Sequence, residues 1–229
     1  MEIRPDLHWI EGRSSNIFLC VTDDGLTLVD AGMPGMQDDL FAEIQRLGYR
    51  PTDLKWIFIT HADIDHVGSL AVIQTTTGAK VFAGEQTAVL LQKGKSPQHL
   101  PRPMQWFVNA FVRYKKVTQT AIQVIADGDI LPGWGALQVI NTPGHTLDHI
   151  SFYSSTTGVL FAGDALNTRA DCLQRTPPRI TANEDLANQS AIELLKLTPT
   201  LFACGHGRPL QEHSTGELIQ LFNQLRNAA

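Results

Sequence analysis

The sequence predicts an α/β fold of four layers, an αββα sandwich with two sheets face to face and helices on both outer sides. Three observations carry this expectation. Strand-like apolar runs open the chain and recur in its second half; helical periodicities alternate with strands between and after them; and each sheet alone would leave an apolar face uncovered. A length of 229 residues without a Pro-, Gly- or Ser-rich linker makes residues 1–229 a single domain on this reading.

The elements follow in order. Apolar runs at 7–10, 17–21 and 26–29, with Asp23, Asp24 and Gly25 at a turn, make a meander that ends at Asp30-Ala31-Gly32. Over 36–47, Leu40, Phe41, Ile44 and Leu47 fall at helical spacing, and Gly48 stops the helix before an apolar strand at 54–60. A helix to Gly78, a strand at 80–83 and a helix at 85–92 continue the alternation. In the second half, strands at 121–126, 136–140, 149–153 and 159–161 are separated by Gly, Pro and Ser turns. A helix at 184–197, a strand at 201–203 and a helix at 215–225 close the chain. Two segments break the pattern: 94–118, with Pro97, Pro101 and Pro103, and 165–183, with Pro177 and Pro178. Long irregular stretches inside a compact domain are usually functional loops.

Composition narrows the function. Eighteen Lys and Arg against 23 Asp and Glu give a net charge of −5, and no basic stripe stands out, which argues against nucleic acid and acidic membranes as partners. At 43% hydrophobic and 18% charged residues, the chain is that of a folded domain. Its first residues lack the apolar stretch of a secretory signal, and no run approaches the ~18 apolar residues of a membrane span, so the expected compartment is the cytoplasm. Cys20, Cys172 and Cys204 form no CxxC pair and read as small packed hydrophobes.

The chemistry concentrates in Thr60-His61-Ala62-Asp63-Ile64-Asp65-His66, two imidazoles and two carboxylates just after a strand. Unpaired buried carboxylates are costly, and a cation is the usual compensation where several lie beside histidines. Three more ligand-type residues stand at strand ends beside glycine: His145 after Gly144, Asp164 after Gly163, and His206 between Gly205 and Gly207. Glycine permits the sharp turns that bring such side chains to a shared centre.

The order HxxxDH, GH, GD, GHG resembles the metallo-β-lactamase superfamily, specifically its glyoxalase II-like and lactonase-like hydrolases, over nearly the whole chain. The resemblance implies one divalent metal held by His61, His145 and the residue at 63, and a second held by Asp65, His66 and His206, with Asp164 bridging. It implies a hydrolase of a small ester, lactone or thioester in which a metal-bridging hydroxide attacks the carbonyl carbon and Asp65 orients it and carries a proton. Asp30 and Thr60 are expected behind the ligands, with His149 near them. Zinc is the first expectation for both metals, manganese or iron the alternatives. The chain departs from the family's HxHxDH pattern in having Asp63 for a histidine. Two divalent cations, three aspartates and a hydroxide make a neutral centre, where histidine at 63 would leave one positive charge; a less electrophilic centre with a tilt away from zinc follows. The competing reading is a metal- or partner-binding module of the same fold with little catalysis.

Of the remaining histidines, His8, His99 and His213 read as structural or exposed. Within 94–118, Trp106, Phe107, Ala110, Phe111 and Tyr114 form a helical aromatic face beside Arg113, Lys115 and Lys116. It is read either as a lid over the metals lining a small-molecule pocket, with Trp106, Phe107 and Phe111 as its wall, or as a homodimer contact or plain core.

Overall fold

A computed structural model describes residues 1–211, 221 and 223 of the chain. Strands β1 (Glu2–Arg4), β2 (Leu7–Glu11), β3 (Asn16–Thr22) and β4 (Gly25–Val29) form an antiparallel meander. After α1 (Met36–Arg46), β5 (Leu54–Phe58) joins β4 in parallel. The one-turn α2 (Ile64–Val67) and α3 (Leu70–Thr77) lead to β6 (Lys80–Ala83), and α4 (Glu85–Lys93) and α5 (Arg102–Phe111) lead to β7 (Ile122–Val124), both strands again parallel to their neighbour. These seven strands are one sheet in sequence order.

The second sheet has the order β13-β10-β9-β8, built from β8 (Gln138–Asn141), β9 (Ile150–Ser154), β10 (Val159–Gly163) and, after the two-stranded ladder β11 (Leu166–Asn167) with β12 (Gln174–Arg175) and helix α6 (Glu184–Lys196), β13 (Leu201–Cys204). β13 pairs with β10 in parallel.

Three buried clusters separate four layers, because successive residues of a strand face opposite sides. On β3, Ile17 and Leu19 pack with Leu40 and Ile44 of α1 and Leu70 and Ile73 of α3, whereas Phe18 and Cys20 face the second sheet. On β10, Val159 and Phe161 face the first sheet, and Leu160 meets Ala191, Leu194 and Leu195 of α6. The helix–sheet–sheet–helix order is therefore the one expected. Between the sheets Phe18 meets Phe161 at 5.4 Å and Phe58 meets Phe152 at 5.7 Å between ring centres. Truncating such a fully buried ring costs about 3–5 kcal/mol, so this seam fixes how the two sheets face each other.

The segment 94–118 holds a helix, α5, and 165–183 holds the short β11–β12 ladder. The expected last helix at 215–225 lies outside the described residues apart from Leu221 and Asn223, as does His213. Among the described residues no helix is long and apolar enough to cross a membrane. What positions the site is the meeting of strand ends: the C-terminal ends of β4, β5, β10 and β13 and the turn between β8 and β9 converge. The joints are hydrogen bonds from Asp30 N–H to Phe58 O (2.9 Å), Ile150 N–H to Thr60 O (3.0 Å), Gly205 N–H to Gly163 O (2.8 Å) and Asn16 N–H to Gly205 O (2.8 Å).

Candidate metal centre

His61 follows β5, Asp63 immediately precedes α2, and Asp65 and His66 lie on that single turn, whose start is tied by His66 and Val67 N–H donating to Asp63 O. His145 comes from the β8–β9 turn, Asp164 follows β10, and His206 follows β13. The structure brings all seven together. Among the described residues, three sets of donors have their atoms within 4.8 Å of one another: His61, His145 and Asp164; Asp65, His66 and His206; and Asp63, His99 and His145.

The separations fit donors that could share an ion. His145 Nε2 lies 3.1 Å from Asp63 Oδ2 and 3.6 Å from Asp164 Oδ2, and His61 Nε2 lies 3.5 Å from Asp63 Oδ2. On the other side, His66 Nε2 is 3.3 Å from Asp164 Oδ1, and His206 Nε2 is 3.1 Å from Asp164 Oδ2 and 3.7 Å from Asp65 Oδ2. Bonds of 2.0–2.1 Å at tetrahedral angles put donors about 3.3–3.4 Å apart. His61 Nε2, His66 Nε2 and Asp164 Oδ1 are also buried without a hydrogen-bond partner among the described residues, lone pairs that a cation would satisfy.

The outer faces of His66, His61 and His206 are held. Asp30 Oδ2 stands 2.8 Å from His66 Nδ1, and Asp30 Oδ1 accepts from Thr60 N–H at 2.9 Å. Thr60 Oγ1 is 2.9 Å from Asp30 Oδ2 and 3.0 Å from His61 Nδ1. His206 Nδ1 donates to Ser14 O at 2.7 Å. Protons placed on Nδ1 in this way leave Nε2 free to face the centre. His149 plays a different part: its Nε2 accepts from the Asp164 backbone N–H at 3.0 Å, and its Nδ1 is 2.7 Å from Thr142 Oγ1. It positions Asp164 through the main chain.

The electrostatics follow from crowding charges in a dry pocket. Burial alone would raise the Asp164 and Asp63 carboxyls, but facing imidazoles, His206 and His66 for one and His145, His61 and His99 for the other, hold both well below the usual carboxylate range. Burial likewise opposes charge on His66, yet Asp164 and Asp30 outweigh it and raise its pKa well above the ordinary value; His145 and His206 are raised in the same way by Asp63 and Asp164 and by Asp164, respectively. Burial and neighbouring histidines lower His61 and hold His149 well below the ordinary histidine range, so His149 stays neutral. Burial pushes the Cys204 thiol up, which keeps it protonated in the metal-free fold.

Two expectations are corrected. His99, read as structural or exposed, is not exposed and stands beside the centre: its side chain is 3% exposed and Nε2 lies 3.1 Å from Asp63 Oδ2. Nor do Trp106, Phe107 and Phe111 wall the pocket, being 68%, 55% and 66% exposed. The spacing located a helix face correctly, but Gln105, the buried residue of α5, sets its direction by accepting from His99 and Leu100 N–H and donating to Pro97 O. Asn109 and Arg113, four and eight residues on, line the cavity instead. That cavity, about 750 Å³, is lined in part by Ala62 and Thr146, the chain neighbours of His61, Asp63 and His145. A further group carried no sequence signal: Ser14 donates to Asp65 Oδ2 at 3.1 Å, and Asn16 Nδ2 donates to Cys204 O and Gly207 O, clamping the loop of His206.

The sequence profile of the Metallo-beta-lactamase superfamily matches residues 10–206, which contain every one of these candidate ligands. The chain belongs to the metallo-β-lactamase superfamily. It is 33% identical to the uncharacterized protein YobT of Bacillus subtilis over 87% of this chain and 85% of that one, and 27% identical to the probable metallo-hydrolase YflN of the same organism over 86% and 81%. An N-acyl homoserine lactonase of a Bacillus species is 26% identical over 70% of this chain and 67% of its own. Among solved structures, BJP-1, a subclass B3 metallo-β-lactamase of Bradyrhizobium japonicum, superposes with a TM-score of 0.70 at 23% identity, over 97% of this chain and 89% of the other, a likeness of fold.

Proposed function

We propose that this superfamily hydrolase holds two divalent cations, zinc first among them, and hydrolyses a small ester, lactone or thioester. The observation that carries the reading is the cluster of buried donor atoms spaced as ligands are around shared ions, with His61 Nε2, His66 Nε2 and Asp164 Oδ1 lacking any hydrogen-bond partner among the described residues. His61, His145 and Asp63 would hold one cation and Asp65, His66 and His206 the other, with Asp164 between them. Bound there, the cations would supply an activated water at neutral pH and a Lewis acid for the carbonyl oxygen.

The rest is done by the chain. Asp65, held by Ser14, orients the attacking water and returns its proton to the leaving oxygen or sulfur. The cavity beside Ala62 and Thr146 has the size of a small-molecule site and mixes apolar wall, Leu90 and Leu147, with polar groups, Asn109 and Arg113. The lactonase relative supports the choice of a strained or activated acyl substrate.

Elemental analysis followed by turnover on a panel of esters, lactones and thioesters tests the reading, with Asp164→Ala and His206→Ala as controls. Turnover that needs metal and is lost in both controls is expected. Two bound metals with no turnover above the controls would leave a binding module of this fold.

A further inference from the structure

We propose that His99, carried by the irregular segment between α4 and α5, is a ligand of the first cation and stands in for the histidine that this chain lacks at position 63. The inference rests on the two-cation reading above. It starts from the departure at Asp63, a carboxylate where the family has an imidazole. Around Asp63 Oδ2 the structure places three imidazole nitrogens: His145 Nε2 and His99 Nε2 at 3.1 Å each and His61 Nε2 at 3.5 Å. Of these, Asp63, His99 and His145 keep their ligand atoms within 4.8 Å of one another, so His99 offers this point a second imidazole from 36 residues further along the chain than Asp63.

His99 is built for the position. Its side chain is 3% exposed, its ring packs edge-on against His145 at 4.8 Å between centres, and Nδ1 has no hydrogen-bond partner among the described residues, so nothing behind the ring dictates which nitrogen carries the proton. The backbone at 97–100 is fixed by the Gln105 amide, which accepts from His99 N–H at 2.9 Å and Leu100 N–H at 3.0 Å and donates to Pro97 O at 3.0 Å. A buried glutamine spending both ends of its amide on one loop holds that loop in register. The same segment lines the cavity through Ser96, Pro97 and Gln98. One stretch of chain thus completes the metal site and walls the substrate site.

The alternative role for His99 is a hydrogen bond to Asp63 and nothing more, and cobalt binding separates the two. Cobalt(II) is titrated into the chelator-stripped full chain, wild type and variants, with affinity and visible spectrum as readouts. Two sites are expected in wild type. In His99→Ala and in His99→Gln, one site weakens at least tenfold and its part of the spectrum changes; the glutamine amide can still donate to Asp63, so equal loss in both marks ligation. Asp63→His together with His99→Ala returns the weakened site to within about threefold of wild type, which also shows that His99→Ala folds. Wild-type affinity and spectrum in His99→Ala, wild-type behaviour in His99→Gln alone, or no recovery in the double variant each overturn the assignment. No cobalt bound by wild type would overturn the two-cation reading itself.

Discussion

Gly205 offers a sharp probe, since its neighbours are the centre itself. A Cβ at this position would lie 2.5 Å from Asp164 Oδ1 and 2.6 Å from His66 Cε1, about 1 Å inside ordinary carbon contact distance. Gly205 is not among the glycines with positive φ, so alanine there meets no backbone strain and the effect is purely one of space. Neither neighbour can retreat: His66 is fully buried against Asp30, and Asp164 is 3% exposed with its N–H held by His149. Ligand positions must hold to about 0.5 Å, so a shift of roughly 1 Å is disabling. Gly205→Ala is expected to weaken metal binding at least tenfold, by competition with a chromophoric chelator, and to destabilise the metal-free fold by about 1–3 kcal/mol from overpacking. Gly78→Ala is the control: its φ of +74° costs about 1–2 kcal/mol, but no atom lies within 4 Å and metal binding should not change. Metal affinity of Gly205→Ala equal to wild type would refute the placement of Asp164 and His66 as ligands.

Three further outcomes are expected. Asp30→Asn, which removes the carboxylate behind His66 and Thr60, weakens metal binding about 10- to 100-fold while the metal-free melting curve stays cooperative; unchanged affinity contradicts the orienting role. Metal uptake near pH 7 releases protons, because His66, His145 and His206 have raised pKa values in the metal-free fold and must lose protons to ligate. The release fades as pH rises through those raised values, and His61, already lowered, adds little; calorimetry in buffers of different ionisation enthalpy reads it, and zero release at pH 7 counts against the site. Asp63→His adds one positive charge to the centre, moves the acidic limb of the pH–rate profile down and shifts metal content toward zinc; neither change occurring would discard the charge argument.

Much of the site was legible because its residues carry local marks. The cluster at 61–66 is dense, and His145, Asp164 and His206 each sit beside a glycine at a strand end, where the structure needs either a tight turn or a missing Cβ. The four layers were legible too, since strands buried on both faces are unbroken apolar runs. His99 carried no such mark. It stands between Gln98 and Leu100 in an irregular stretch, and its approach to Asp63 depends on Gln105, a tertiary hydrogen-bonding choice that no periodicity encodes. The aromatic stripe of α5 shows the converse. Spacing identified a face, but which face turns inward was decided by one buried amide rather than by hydrophobicity. Ser14 and Asn16, which clamp the His206 loop from nearly two hundred residues away, were invisible for the same reason.

The most direct measurement is the metal content of freshly purified protein, by elemental analysis, beside that of Asp164→Ala. Two divalent ions per chain in wild type, with both weakened by the loss of the carboxylate between them, are predicted. A wild-type chain that carries none, and whose melting temperature no added zinc, manganese or iron raises, would contradict the centre outright.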